Sequence, residues 1–308
     1  MTKFTFTTKF QSVIGVLCVT LLLIFASCVK EVVDNKSQFD AEKAELLKAK
    51  AEMKKSFKDL ADATRTAGKK HFGTAHNSSR IEDQAFLDDL VNEINQKKID
   101  INTNSPVRLT KVWNAKTESL HDYMSGNGVS EKVISYTSNL KDRMVAVSRS
   151  YEKEVNLGQL DVKAMVISLT QVLENAENDV INDPTLTQSE KLTLLAATTA
   201  GIELSAPWVE IYQDFKFNFV NKTESAFWRR IGNIVTNIVI VLVVAAIVVA
   251  AVMFTAGLVA AAGIAVATSG TMIGGAVAGV AGGSFLTIIK IIDECYGVCA
   301  FEDDGCKC

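Results

Sequence analysis

A chain of 308 residues with a formal charge of −3 has no basic excess with which to neutralise a phosphate backbone, which excludes a nucleic-acid binder. Hydrophobic residues make up 48% of it, and the mean hydropathy of +0.18 is raised by apolar runs at both ends rather than by an even spread. With three prolines and polar stretches of helical period between those runs, the expected fold is all-α: an elongated amphipathic helical bundle, then a hydrophobic helical hairpin and a short Cys-rich tail.

The first element is a processing signal over residues 1–27. Lys3 and Lys9 open it, Val13 to Phe25 form an apolar core too short for a comfortable span, and small residues follow. The string Phe25-Ala26-Ser27-Cys28 resembles the lipobox of bacterial lipoproteins, with Phe25 where an aliphatic residue is usual. The resemblance implies that Cys28 becomes the first mature residue and carries acyl chains, each buried methylene adding about 0.8 kcal/mol of anchoring. The alternative is an ordinary signal peptide cut after Ser27. Val29 after the Cys and the nearby Glu31 and Asp34 favour the outer membrane of a bacterial envelope over the inner one. Removal of Lys3 and Lys9 moves the formal charge from −3 to −5, a mildly acidic body.

The bundle is expected over 28–230. Within 37–67, Phe39, Leu46, Met53 and Leu60 recur every seven residues with Ala49, Phe57 and Ala63 beside them, which predicts a helix before a loop from Gly68 to Arg80. Ile81, Phe86, Leu87, Leu90, Val91 and Ile94 predict a helix over 81–97, and a further one is expected over 107–124. Val129, Val133, Tyr136, Leu140, Met144, Val147, Tyr151 and Val155 predict one long helix ended by Gly158. Val162, Met165, Val166, Leu169, Leu173, Ala176 and Val180 predict another over about 160–182, stopped by Asp183-Pro184. Thr187-x-x-Glu190 is a capping box that starts the next. From Trp208 to Trp228 aromatics alternate with polar residues and lead into Arg229-Arg230; an interfacial belt is expected there, with core packing the alternative.

From Ile231 to Ile289 there are 59 residues without a charge, enough for two spans of about 20 residues. A hairpin over 231–292 is expected, turning at Thr268-Ser269-Gly270. It is read first as permanently transmembrane, with release from the bundle on demand and permanent burial as alternatives. Gly275, Gly279 and Gly283 lie four apart on one helix face and allow a close helix approach, including one between copies of the chain. With the lipobox, this pattern resembles glycine-zipper lipoproteins of bacterial envelopes. The arrangement of a bundle and an apolar hairpin is also similar to α-helical pore-forming toxins.

The tail over 293–308 carries Cys295, Cys299, Cys306 and Cys308, read as two disulfides of unassigned pairing, with a thiolate zinc site the runner-up. His71, His76 and His121 read as surface residues, and no phosphate loop, metalloprotease helix or nucleophile elbow is present, so neither an enzyme nor a cofactor is expected. The expected partner is a lipid bilayer. The expected role is structural or interactive within the envelope, the alternative a pore-forming effector.

Overall fold

The computed structural model describes residues 39–70, 117–216 and 225–255, together with positions 89, 92, 93, 113, 115, 300 and 301. Every regular element among them is an α-helix, so the fold is all-α. The chain divides into two compact units, Met1–Glu45 and Leu46–Cys308. In the first, the described residues 39–45 are helical. The second holds the helical bundle and its core.

Helix α1 covers 39–70. From Leu46 onward its stripe of Leu46, Ala49, Met53, Phe57, Leu60 and Ala63 is buried, as the spacing predicts. The helix does not stop at Gly68; that residue is helical and buried, because Ala67 beside it extends the apolar face by another turn. Of 81–97 only 89, 92 and 93 are described, all helical; the apolar stripe expected there lies outside the described residues.

The helix expected over 107–124 is shorter. Trp113, Ala115 and residues 117–119 are not helical, and α2 is Leu120–Gly126. Two interactions explain the late start. The Trp113 indole N–H donates to the Glu118 carbonyl at 3.1 Å, and Ser119 caps α2 by accepting from the Asp122 N–H at 3.1 Å.

The long stripe from Val129 to Val155 is divided between two helices. Helix α3 is Glu131–Arg149, started by Ser130, whose hydroxyl accepts from the Val133 N–H. The Ser150 hydroxyl donates to the Val147 carbonyl at 2.6 Å and the chain bends before α4, Glu152–Asn156. The bend accompanies a pairing of the Tyr151 hydroxyl with Ser168 at 2.7 Å and full burial of Val155. Gly158, at φ 68, turns the chain in the left-handed region as expected.

Helix α5 is Val162–Asn182, and all seven of its predicted core residues are buried. Asp161 caps its start by accepting from the Ala164 N–H at 2.9 Å. At its end Asp183 accepts from the Thr185 N–H and hydroxyl, closing the turn with Pro184. Helix α6, Gln188–Lys216, begins on the predicted capping box: the Thr187 N–H donates to the Glu190 carboxylate at 2.9 Å, and the Glu190 N–H to the Thr187 hydroxyl at 3.3 Å.

Helix α7 is Ser225–Thr255. It passes through Arg229-Arg230 without a break, so the apolar run starts inside a helix rather than opening one. Its most extensive contact is with α6, and α3, α4 and α5 also pack on it. Gly201 on α6 marks a tight crossing: a Cβ there would lie 2.6 Å from the Leu173 side chain of α5 and 3.0 Å from the Val243 side chain of α7. Those two side chains fill the space that a larger residue would need.

Candidate functional site

Two of the described helical stretches are long and apolar enough to cross a membrane, Gln188–Ile211 and Ser225–Thr255, with mean hydropathies of 1.2 and 3.2 over their most apolar windows. They differ in kind. Along α6, Glu190, Lys191, Glu203 and Glu210 interrupt the apolar pattern, and its Thr198 and Thr199 hydroxyls bind a buried carboxylate. Along α7 no ionisable residue follows Arg230. At about 1.5 Å per residue, its stretch from Ile234 to Thr255 spans about the hydrocarbon thickness of a bilayer.

That stretch is enclosed. Every residue from Ile231 to Ala251 is buried, around the whole circumference of the helix. A helix apolar on all sides is stable only where water is excluded on all sides, whether by protein or by lipid. Here protein does it, and the surrounding helices present charges outward. Lys132 and Asp142 on α3 and Glu174 and Asp179 on α5 are all exposed.

The head of α7 carries a polar clasp. Asn233 is 2% exposed, and its amide is engaged with residues of the tail. Its Oδ1 accepts from the backbone N–H groups of Ala300 and Phe301, both at 2.8 Å, and its Nδ2 donates to the Phe301 carbonyl at 3.0 Å. The Ala300 carbonyl accepts from Arg149 Nε of α3 at 3.2 Å. The Phe301 ring lies on Gly232, where a Cβ would sit 2.4 Å from the ring edge. One turn along, the Thr236 hydroxyl pairs with Ser148 of α3 at 2.7 Å, both buried, and Asn237 Nδ2 donates to the Asn233 carbonyl at 2.8 Å. The clasp therefore joins α3, α7 and the tail through hydrogen bonds shielded from water, where leaving any one unmade is costly.

A second polar seam joins α1 to α5 and α6. Glu177 is 3% exposed, pairs with Lys50, and accepts from Thr199 at 2.8 Å and Thr198 at 3.3 Å. Beside it Lys54 meets Glu203 at 3.1 Å; that hydrogen bond and the charge behind it hold the Lys54 ammonium above its ordinary pKa. Between α3 and the turn joining α5 to α6 lies a groove of about 430 Å³, flanked by Arg143 and Asp179, which pair at 3.6 Å. Burial, then the nearby Asp179 and Asp183, push the Tyr136 phenol in its wall up to about 12.

Of the residues singled out by sequence, Cys28, the glycines Gly275, Gly279 and Gly283, and the cysteines Cys295, Cys299, Cys306 and Cys308 lie outside the described residues, as do His71 and His76. His121 is exposed, 3.2 Å from Glu131, whose hydrogen bond and charge raise its pKa. Among the described residues no group of three His, Cys, Asp or Glu side chains is arranged to hold a metal. The aromatic belt is corrected at its start: Trp208 is 1% exposed and belongs to the core. Phe227 and Trp228 are half-buried and meet edge to face at 5.2 Å, at the head of α7. The clasp residues Asn233, Thr236 and Asn237 were not foreseen; their signal is three polar side chains at helical spacing on an otherwise apolar run. The chain matches no family model, and neither the curated proteins nor the solved structures contain a significant match to it.

Proposed function

We propose that the protein is an exported, lipid-anchored envelope protein that stores a bilayer-length helix within its bundle and delivers it into a membrane. The observation that carries this is the pairing of unbroken burial from Ile231 to Ala251 with a complete lack of charge along α7 after Arg230. Placing α7 across a bilayer with its sheath intact would bring exposed charges of α3 and α5 into hydrocarbon, where each costs several kcal/mol. Storage and insertion are therefore alternative states, and passage between them requires α7 to separate from α3, α4, α5 and α6. In this reading the acyl chains on Cys28 hold the bundle at the envelope, and the glycine face at Gly275, Gly279 and Gly283 packs inserted helices together.

A disulfide lock tests it. The hydroxyl oxygens of Ser148 and Thr236 are 2.7 Å apart, so cysteines at both positions are placed to bridge α3 and α7. Oxidised Ser148→Cys/Thr236→Cys protein should bind vesicles yet fail to release an entrapped dye, and reductant should restore release, with the wild type run under both conditions. Equal release from the locked and wild-type proteins, or no release by the wild type under any pH, salt or lipid condition, defeats the proposal. The second of those results would leave a structural role in the envelope.

A further inference from the structure

We infer that Ala300 and Phe301 form an autoinhibitory latch, which keeps α7 in storage and has to open before the helix can leave the bundle; the inference rests on the membrane-delivery reading above and names the contact that regulates it.

The latch turns on one residue that is bonded to two helices. The Ala300 N–H donates to Asn233 Oδ1 of α7 at 2.8 Å, and the Ala300 carbonyl accepts from Arg149 Nε of α3 at 3.2 Å. Ala300 thus ties the last residue of α3 to the head of α7. Phe301 completes the grip. Its N–H and carbonyl engage the two ends of the Asn233 amide at 2.8 and 3.0 Å, and its ring lies on Gly232, where a Cβ would collide with it. One turn further along α7, the Ser148–Thr236 hydroxyl pair bonds the same two helices directly. Delivery requires α3 and α7 to part, so the latch lies across a seam that has to open.

Its construction allows opening. Ala300 and Phe301 belong to no helix, and among the described residues they are held by these four hydrogen bonds and the burial of one ring. A contact this local can open without unfolding the helices around it. Opening has a consequence for α7. The Asn233 amide is 2% exposed with the tail in place. Stripped of the tail, it stays unpaired or draws water into the seam between α3 and α7. Both outcomes raise the free energy of the stored state. The helix is therefore held with the latch shut and poised to leave with it open.

The test uses the full chain and the rate of dye release from vesicles. Asn233→Ala removes the three hydrogen bonds between α7 and the tail, and Arg149→Met removes the one between α3 and the tail from an exposed position. A hydrogen bond is worth roughly two- to tenfold in an equilibrium, so release should quicken by about that factor for Arg149→Met and at least about tenfold for Asn233→Ala. Glu177→Ala, which loosens the α1 seam instead, should release as the wild type does. Hydrogen exchange gives a readout that needs no variant: in wild-type protein mixed with vesicles, the Ala300 and Phe301 amides should lose protection before dye escapes. Wild-type rates in both tail variants, an equal gain with Glu177→Ala, or release with both amides still protected overturns the latch. The oxidised Ser148→Cys/Thr236→Cys protein reads delivery independently. Release that this lock blocks but the tail variants leave unchanged means delivery without a latch, whereas no release by any of these proteins removes delivery and latch together.

Discussion

Replacing Asn233 by alanine probes the clasp most directly. The substitution leaves the N–H groups of Ala300 and Phe301 and the Phe301 carbonyl without the partners they have at 2.8, 2.8 and 3.0 Å. A buried donor left unmade costs about 1–3 kcal/mol, so keeping the tail in place would cost about 2–6 kcal/mol for the two N–H groups and about 3–9 kcal/mol with the carbonyl. The chain has a cheaper response, which is to lift the tail into water. That forfeits the burial of Phe301, 4% exposed, worth about 1.5–3 kcal/mol, and the Arg149 hydrogen bond, worth about 1 kcal/mol. The smaller total governs, so the expected loss is about 2–4 kcal/mol, with the tail released and the bundle still helical. Gly232→Ala should reach the same end by steric means, because its Cβ would lie 2.4 Å from the Phe301 ring. Urea unfolding gives the stability, and hydrogen exchange at the Ala300 and Phe301 amides shows whether the tail has left. Slow exchange at both amides together with a stability change below about 0.5 kcal/mol would refute the reasoning, since an unpaired buried donor has to register in one observable or the other.

Glu177→Ala should destabilise the bundle by about 1–3 kcal/mol in urea unfolding, less than the roughly 3–5 kcal/mol that breaking a fully buried pair costs, because Lys50 is 28% exposed and can turn to solvent. Adding Lys50→Met should recover part of that loss; no coupling between the two sites in the double-mutant cycle would dissociate α1 from Glu177 energetically. Burial raises the phenols of Tyr123 and Tyr136 to about 12 from an ordinary 10. Below pH 10 folded and unfolded chains alike keep these protons; between 10 and 12 the unfolded chain gives them up first, so stability falls with rising pH across that window. Ultraviolet titration should show Tyr123 and Tyr136 ionising late, and Tyr136→Phe should flatten part of the alkaline loss.

The helices that read clearly from sequence are those whose ends carry their own chemistry. Helix α5 has Asp161 at its start, Asp183-Pro184 at its end and one apolar stripe between, so local signals and packing agree. The capping box at Thr187 and the left-handed turn at Gly158 are likewise local, each decided by atoms within a few residues. The stripe from Val129 to Val155 was legible as a buried face but not as two helices. Its break at Ser150 goes with contacts that come from elsewhere in the chain, such as Ser168 holding Tyr151. The belt expectation is wrong at Trp208 for a related reason. Aromatic residues suit an interface and a core equally well, and only the neighbours distinguish them.

For α7 the sequence by itself determined that a long stretch after Arg230 has to be removed from water, since it holds no charge and no polar face wide enough to remain wet. It did not determine what removes it. A bilayer and a ring of helices present the same apolar environment to that helix, and its pattern is the same in both. What the tertiary structure adds is the set of neighbours: α3, α4, α5 and α6 pack on this helix, and Ala300 and Phe301 close its head. Asn233 meets those two residues 67 and 68 positions away, a contact that no local pattern encodes.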